Sequence, residues 1–288
     1  MKILVTGANG QLGTELRNLA PNCAGCVFFF TDVAELDITD AAAVETTVEE
    51  NEIDLIINCA AYTAVDKAET DEERARVLNA EAPALLANAM ARRGGEIIHI
   101  STDYVFGGQE CTPYTEDMPT APCSVYGRTK LEGEKGVMAA TPRHIIVRTA
   151  WLYSPYGNNF VKTMLRLGRE RDRLNVVFDQ VGSPTYAADL AKALLSIAAT
   201  KDKTYGIFHY SNEGVISWYD FTKAIHRLAG ITACDVQPIL SAQYPTPAAR
   251  PAYSVFCKDK VKHTYGVSVP YWEDSLRLCL QRLNASAE

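Results

Sequence analysis

The sequence predicts an α/β fold: a Rossmann-like, doubly wound parallel sheet followed by a smaller C-terminal α/β substrate lobe. Three observations predict it. Short apolar, β-branched runs alternate with helical patterns, a glycine-rich turn follows the first of these runs, and the alternation loosens after Trp151. Continuous apolar strands separated by helices are typical of βαβ units, whose parallel sheet is covered on both faces.

The elements of the first half follow from periodicity and capping residues. The second helix is expected to have Thr39 or Asp40 as its N-terminal cap. The predicted strands are 2–6, 27–31, 54–59, 97–101 and 145–148, and the predicted helices are 11–19, 41–50, 71–92 and one near 124–138. In the second half, helices are expected at 159–171, 187–199 and 217–229, the last with Ser217 as its N-cap.

Composition and charge restrict the class of protein. The chain has 288 residues, of which 47% are hydrophobic and 22% charged, as in ordinary globular proteins. The net charge of −7 argues against a partner that is nucleic acid or an anionic membrane. The first apolar run is too short for a signal peptide, no run is long enough to span a membrane, and eight cysteines are scattered. A cytoplasmic, reduced protein is expected.

A glycine-rich turn, Gly7-Ala8-Asn9-Gly10-Gln11-Leu12-Gly13, separates the first strand from the first helix. Gly7 permits the tight turn, Gly10 lets the backbone approach a pyrophosphate, and Gly13 lets the helix pack closely on the sheet. Asp32 follows Gly13 by 19 residues, at the end of the second strand, where a carboxylate can accept hydrogen bonds from an adenosine ribose. The pattern predicts a nicotinamide dinucleotide site.

Cofactor preference follows from the same acidic residue. Asp32 favours a free ribose 2′-hydroxyl and repels a 2′-phosphate, and Val33 and Ala34 place no cation beside it. The sequence therefore predicts NADH or NADPH as cofactor, with NADH favoured by Asp32.

A second pattern, Tyr126-Gly127-Arg128-Thr129-Lys130, places a phenol and an ammonium four residues apart. On a helix, such residues share a face, so the Lys130 charge can lower the pKa of Tyr126 toward the working range. Between the two motifs, Thr102 ends a predicted strand, where its hydroxyl can bond a substrate oxygen beside Tyr126. These three residues are the candidate catalytic group.

The spacing of the glycines and the Tyr-x-x-x-Lys pattern resemble the extended short-chain dehydrogenase/reductase superfamily. Further segments resemble the dTDP-4-dehydrorhamnose reductases, in order from residue 1 to about residue 260. They are Ser101–Phe106, Tyr126–Glu134, Arg148–Tyr153, Gly157–Phe160, Asp179–Thr185 and Arg250-Pro251. The resemblance implies reduction of the C4 ketone of dTDP-4-dehydro-β-L-rhamnose by NAD(P)H, the last step of dTDP-L-rhamnose synthesis.

The resemblance also implies roles for single residues. Tyr126 would donate the proton, Lys130 would lower its pKa and bind the nicotinamide ribose, and Thr102 would polarise the ketone. With the residues above, the cofactor would be lined by Gly7, Gly10, Gln11, Leu12, Gly13, Asp32, Asp37, Ile38, Ala61, Tyr62 and Thr63. Thr102, Asp103 and Trp151 would touch the sugar. Asn159 is a further candidate for substrate binding. Because an acidic protein must place positive charge locally, Arg250 and Lys162 are the candidates for the substrate diphosphate.

A metal is not predicted. Some members of this family bridge a dimer through Mg²⁺ held by glutamates, and Glu15 stands at the matching place. The later acidic position reads Ala188, with Asp189 one residue further on, which makes Mg²⁺ at a dimer interface doubtful. A homodimer without metal remains possible, and the partner implied is the dTDP-sugar itself.

The sequence leaves other functions open as alternatives to a ketoreductase. A nucleotide-sugar dehydratase needs a second carboxylate after the threonine, whereas this chain has Thr102-Asp103-Tyr104. An epimerase or another nucleotide-sugar reductase is an alternative within the superfamily. A non-catalytic NAD(P)-binding regulatory subunit, like that of methionine adenosyltransferase, is an alternative of another class.

The predicted domains are an NAD(P)-binding unit at 1–150, to which segments near 174–200 return, and a substrate lobe at 151–288.

Overall fold

The computed structural model describes residues 1–285, whose centre is a six-stranded parallel sheet. The strands are β1 (Lys2–Thr6), β2 (Val27–Thr31), β3 (Leu55–Asn58), β4 (Glu96–Thr102), β5 (His144–Thr149), β6 (Leu152–Tyr153), β7 (Arg173–Val177), β8 (Val181–Gly182), β9 (Thr185–Tyr186), β10 (Gly206–His209), β11 (Ile216–Ser217) and β12 (Asp235–Ile239). The helices are α1 (Gln11–Leu19), α2 (Ala41–Glu50), α3 (Val65–Ala68), α4 (Glu72–Arg76), α5 (Ala82–Arg93), α6 (Val125–Ala140), α7 (Phe160–Glu170), α8 (Ala187–Ala199), α9 (Trp218–Leu228), α10 (Asp259–Tyr265) and α11 (Trp272–Ala285).

The central sheet has the strand order β10-β5-β4-β3-β1-β2, and every neighbouring pair is parallel. Alternate residues of β1 face opposite sides. Val5 packs with Leu16 of α1 and Leu194 of α8, whereas Leu4 packs with Leu86 of α5. Both faces are therefore covered, as the apolar strands predicted. The chain order reverses at β1, so the carboxyl ends of β1 and β3 open a crevice for a ligand.

A second apolar cluster lies beyond the sheet. It joins α7, α9 and α11 to the parallel pair β7 and β12, with Phe221 and Trp272 among its buried aromatics. Helix α8 and strand β10 pack instead with the central sheet, although both follow residue 150. Residues 286–288, which the predicted substrate lobe includes, lie outside the described residues. None of the helices in residues 1–285 combines the length and the apolar composition of a membrane-spanning segment.

Several predicted elements are confirmed to the residue. Strands β1 and β2 and helices α1, α2 and α8 have the predicted bounds. The Asp40 carboxylate, and not Thr39, caps α2 by accepting from Ala42 N and Ala43 N. Ser217 caps α9 within a capping box completed by Asp220. Local sequence was sufficient here because caps and periodicity act within one turn.

The single helix predicted at 71–92 is wrong. Helix α4 passes into a π-helical turn, Val77–Glu81, before α5 begins. Pro83 stands at the start of α5, where it lacks the N–H that a continuous α-helix would use. The sequence also missed β10 as the sixth strand and the last helix, α11.

Candidate active site

A cavity of about 1020 Å³ opens at the carboxyl ends of the central strands. It brings together residues from the glycine-rich turn, the ends of β2, β3 and β4, and helix α6. Of the residues that the sequence singled out, its walls contain Gly7, Gly10, Gln11, Leu12, Gly13, Asp32, Asp37, Ile38, Ala61, Thr63, Thr102, Asp103, Tyr126, Lys130, Trp151 and Asn159. Tyr62, Lys162 and Arg250 are not among its lining residues.

The glycine-rich turn has the geometry of a phosphate cradle. Gly7 has φ +64°, a conformation that favours glycine. A Cβ on Gly13 would lie 2.4 Å from the Gly7 carbonyl oxygen, so helix α1 can pack this closely on the turn only because residue 13 has no side chain. A Cβ on Gly10 would lie 3.2 Å from the same Gly7 oxygen, so this position is also tight for a side chain. Helix α1 has no side-chain cap and no acidic residue in its first turn. Its N-terminal dipole is thus available to an anion.

Asp32 lies beside this turn at the end of β2. One carboxylate oxygen accepts from Asn9 N at 3.0 Å and the other from Val33 N at 2.9 Å. Arg17 of α1 donates to the Asn9 side chain at 3.3 Å and stacks over Phe30. A cation therefore lies at the Asn9 side chain, in the turn that Asp32 contacts, and it comes from the helix and not from positions 33 and 34. The turn and Asp32 together fit an adenine dinucleotide.

The loop after β3 is fixed by one buried amide. Asn79, in the π-helical turn, accepts from Tyr62 N at 2.8 Å and donates to Tyr62 O at 3.1 Å. Ala61 and Thr63 therefore face the cavity, while the Tyr62 hydroxyl bonds Asp71 at 3.0 Å. Tyr62 itself is not among the residues that line the cavity.

Thr102 and Asp103 form a buried pair at the end of β4. The Thr102 hydroxyl donates to Asp103 Oδ1 at 2.9 Å and accepts from Tyr104 N at 3.3 Å. Burial raises the pKa of Asp103 to about 6, although hydrogen bonds from Thr102 and Ser254 act in the opposite direction. A polar, titratable group is thus held against the cavity wall.

Helix α6 carries Tyr126 and Lys130 to the same wall. Ser124 caps the helix by accepting from Gly127 N at 3.1 Å, and a Cβ on Gly127 would lie 2.2 Å from the Tyr104 carbonyl oxygen. The close approach lets the Tyr104 ring pack edge-on against Tyr126, with 5.4 Å between centroids. The position of the phenol is therefore set by contacts on two sides.

The pKa of Tyr126 differs in direction from the prediction. Burial raises it, and the hydrogen bond with Thr102 offsets this only in part. The Lys130 ammonium donates to the Ile100 carbonyl oxygen at 2.6 Å, and burial lowers the pKa of Lys130 to about 8. The phenol consequently holds its proton at neutral pH, which is the form that a proton donor requires.

Trp151 follows strand β5 and has a strained backbone conformation. Its backbone φ is +49°, a value that residues other than glycine rarely adopt. Its ring stacks on that of Trp218, with 3.5 Å between the ring centroids. A Cβ on Gly182 would lie within 3 Å of the Trp151 ring, so glycine is required there. Strained backbone of this kind is common at functional sites. Trp218, which the sequence did not indicate, supports one face of the ring.

Asn159 lines the cavity, but its amide has protein partners on both sides. Oδ1 accepts from Lys162 N at 3.1 Å as the cap of α7, and Nδ2 donates to Gln11 Oε1 at 2.9 Å. Gln11 therefore ties the glycine-rich turn to the second lobe. This geometry assigns Asn159 a positioning contact across the two halves of the chain.

The two cations proposed for a diphosphate already have protein partners. Lys162 Nζ donates to Gly157 O at 2.7 Å. Arg250 donates to Asp66 at 2.6 Å and to the Tyr104 hydroxyl at 3.3 Å. Arg250 is thus linked to the cavity through Tyr104, which is one of its lining residues. Sequence reasoning also missed Arg74, a lining residue on α4 that carries no motif.

Comparison with known proteins gives matches that span nearly the whole chain. The family described as RmlD substrate binding domain matches residues 1–285. A Streptomyces antibioticus protein, described as a probable dTDP-4,6-dihydroxy-2-methyloxan-3-one 4-ketoreductase, is 44% identical over 280 residues, which are 96% of this chain and 94% of that one.

Solved structures agree in fold. A dTDP-4-dehydrorhamnose reductase from Clostridium acetobutylicum superposes with a TM-score of 0.95 and 46% identity, over 99% of this chain and 100% of that one. The dTDP-4-dehydrorhamnose reductase of Bacillus anthracis, solved in complex with NADP, has a TM-score of 0.91 and 40% identity over 98% and 99% of the two chains.

Proposed function

The chain belongs to the RmlD substrate binding domain family, and from this premise we propose that it is an NAD(P)H-dependent nucleotide-sugar 4-ketoreductase. It reduces the C4 ketone of dTDP-4-dehydro-β-L-rhamnose to the alcohol of dTDP-L-rhamnose. The observation that carries the proposal is one cavity whose wall contains the glycine-rich turn together with Thr102, Tyr126 and Lys130.

Three side chains of the protein take part in the proposed reduction. The Tyr126 hydroxyl donates a proton to the C4 oxygen, and the phenol is in the protonated form that this step requires. The Thr102 hydroxyl donates a hydrogen bond to the same oxygen. Lys130 binds ribose hydroxyls and balances the phenolate that remains. The nicotinamide supplies the hydride when it is bound.

Substrate contacts extend into the second lobe. Asp103 and Trp151 border the sugar, while Asn159 holds α7 against the glycine-rich turn. For the diphosphate we propose Arg250, with Lys162 as the second cation, because an acidic protein must place positive charge locally. A diphosphate that binds Arg250 has to compete with Asp66.

The diphosphate contact is tested by Arg250→Ala. The KM for the sugar nucleotide should rise roughly tenfold to a hundredfold, because charge-assisted hydrogen bonds are lost. Asp66→Asn is the matched variant, since it removes the competing carboxylate and should leave KM unchanged or lower. The Kd for NADH should stay constant in both variants. Weaker NADH binding with an unchanged substrate KM would place Arg250 on the cofactor side.

Both nicotinamide cofactors fit the proposal, with NADH preferred. The Asp32 carboxylate disfavours a 2′-phosphate, whereas Arg17 near Asn9 can partly compensate it, so NADPH is accepted. The NADP complex of the Bacillus anthracis relative supports this tolerance. No Mg²⁺ bridge at Glu15 is proposed, because Arg282 already pairs with that carboxylate. We further propose a cytoplasmic location. Residues 1–150, together with the segments near 174–200 that return to the sheet, form the proposed cofactor unit.

Cofactor oxidation after addition of dTDP-4-dehydro-β-L-rhamnose tests the function, with dTDP-L-rhamnose identified as the product. A protein that binds NADH but shows no turnover would favour the non-catalytic alternative. A second substrate must be included, because the Streptomyces antibioticus relative is described as acting on another dTDP-linked ketone. The ratio of kcat/KM values for the two ketones decides between these reductases.

A further inference from the structure

His99 lies fully buried beneath Lys130 and has no part in the mechanism described above. We propose that His99 is a positioning residue that sets the protonation state of Lys130 by directing its Nε2–H at the lysine nitrogen. The proposal deepens the proposed function, since it concerns the lysine of that same site. It follows from a chain of hydrogen bonds that runs from β1 through β3 and β4 to α6.

The orientation of the Asn58 amide is the first step. Asn58 Oδ1 accepts from Ala60 N at 3.1 Å and from the Thr6 hydroxyl at 2.7 Å. A backbone N–H can only donate, so the atom that faces Ala60 must be the oxygen. The Asn58 nitrogen therefore faces His99 Nδ1, 3.0 Å away.

The histidine tautomer is the second step. An amide nitrogen donates and does not accept, so His99 Nδ1 must carry a lone pair. Burial lowers the pKa of His99 well below its ordinary value, so the ring is neutral. A neutral imidazole with a lone pair on Nδ1 carries its proton on Nε2. The backbone of Ala60 thus fixes the tautomer through the amide of Asn58.

The third step is the contact with the lysine. His99 Nε2 lies 3.5 Å from Lys130 Nζ, which also donates to Ile100 O at 2.6 Å. An ammonium has no lone pair, so Nε2–H opposes the charged form and can donate only to the neutral amine. The imidazole therefore acts in the same direction as burial, which lowers the pKa of Lys130 to about 8.

The other groups around Lys130 act in the opposite direction or are already neutralised. Glu134, one turn further on α6, raises the lysine pKa, but Arg148 holds its carboxylate with bonds of 2.9 and 2.7 Å. Cys59 also raises the pKa if ionised, yet burial raises the thiol pKa to about 12 and keeps it protonated. Tyr126 shares the wall and holds its own proton. Burial is therefore the main cause of the lowered lysine pKa, and the His99 N–H, 3.5 Å from Nζ, acts in the same direction.

Lys130 and Tyr126 line the same cavity, so an exchangeable proton on the lysine lies on the wall that carries the proton donor. When the Lys130 ammonium gives up a proton to solvent, one N–H bond breaks, and the amine that remains accepts from His99 Nε2–H.

The test measures Lys130 directly in the protein without substrate. Lysine labelled with carbon-13 at Cε is titrated by NMR, and the Lys130 signal is assigned by its loss in Lys130→Arg. We expect a wild-type midpoint near 8. His99→Asn keeps an acceptor for Asn58 but removes Nε2–H, and should raise the midpoint by about 0.5–1 unit. His99→Gln retains a donor that reaches Lys130, and should restore the wild-type midpoint.

Two readouts keep the result interpretable. Thermal unfolding and NADH affinity of the variants check that the fold persists, and nitrogen-15 spectra of wild-type histidine report the tautomer without any substitution. A midpoint that is the same in His99→Asn as in wild type, or a proton on Nδ1, would overturn the proposal. Because no turnover is measured, failure of the proposed substrate leaves this test unaffected.

Discussion

Arg282 on the last helix donates to both carboxylate oxygens of Glu15 on the first helix, at 2.8 and 3.2 Å. Glu15 is buried, and Arg282 also donates to the hydroxyls of Tyr186 and Tyr156. The carboxylate for which the family resemblance suggested a metal thus has an internal counter-charge. The ion pair links α11 of the second lobe to α1 of the cofactor unit.

Removing this counter-charge should destabilise the protein. Arg282→Ala leaves Glu15 buried without its partner, and we expect a loss of about 1–3 kcal/mol in the free energy of unfolding; the partial exposure of Arg282 reduces the effect. Arg277→Ala on the same helix removes an exposed pair with Glu273 and should cost less than about 0.5 kcal/mol. Urea unfolding measures both. Equal losses in the two variants would contradict the special role of Glu15.

Tyr126→Phe tests the proton donor. The substitution keeps the ring against Tyr104 and removes only the hydroxyl, so kcat should fall by about 10²–10⁴ while the Kd for NADH is retained. Tyr62→Phe is the matched control, because its hydroxyl bonds Asp71 and does not face the cavity. Near-normal turnover by Tyr126→Phe would assign the proton to another group.

Asp103 should make stability depend on pH. Its pKa is raised from 3.8 to about 6 by burial, so the folded protein binds more protons than the unfolded chain between these values. Stability contributed by protonated Asp103 is therefore present below pH 4 and lost as the pH rises through 6. In Asp103→Asn this decline should disappear. Unfolding free energies of wild type and variant at pH 4.5 and 7.5 compare the two slopes, and parallel slopes would exclude the effect.

Cofactor preference should respond oppositely to two neighbouring charges. Asp32→Ala removes a ribose acceptor and a repelling charge, so the ratio of kcat/KM for NADH over NADPH should narrow or reverse. Arg17→Ala removes the cation beside Asn9 and should widen the ratio. Steady-state kinetics with both cofactors decides. A ratio that stays constant in Asp32→Ala would mean that this carboxylate does not reach the ribose.

The sequence alone determined the parts of this protein that depend on neighbours within one or two turns. The bounds of β1, α1, β2, α2 and α8 follow from apolar periodicity and caps, and the turn from Gly7 to Gly13 follows from its glycines. The four-residue spacing of Tyr126 and Lys130 placed both on the cavity wall for the same reason. These features need no knowledge of what the chain packs against.

Only the tertiary structure decided which partners the charged and polar side chains have. Arg250 pairs with Asp66, 184 residues away, and Asn159 bonds Gln11, 148 residues away. The tautomer of His99 depends on an amide of another strand. A buried polar group must be satisfied by whatever atoms folding brings beside it, and those atoms are distant in sequence. Spacing therefore predicts where a side chain lies, while its protonation and its partners are set by the folded environment.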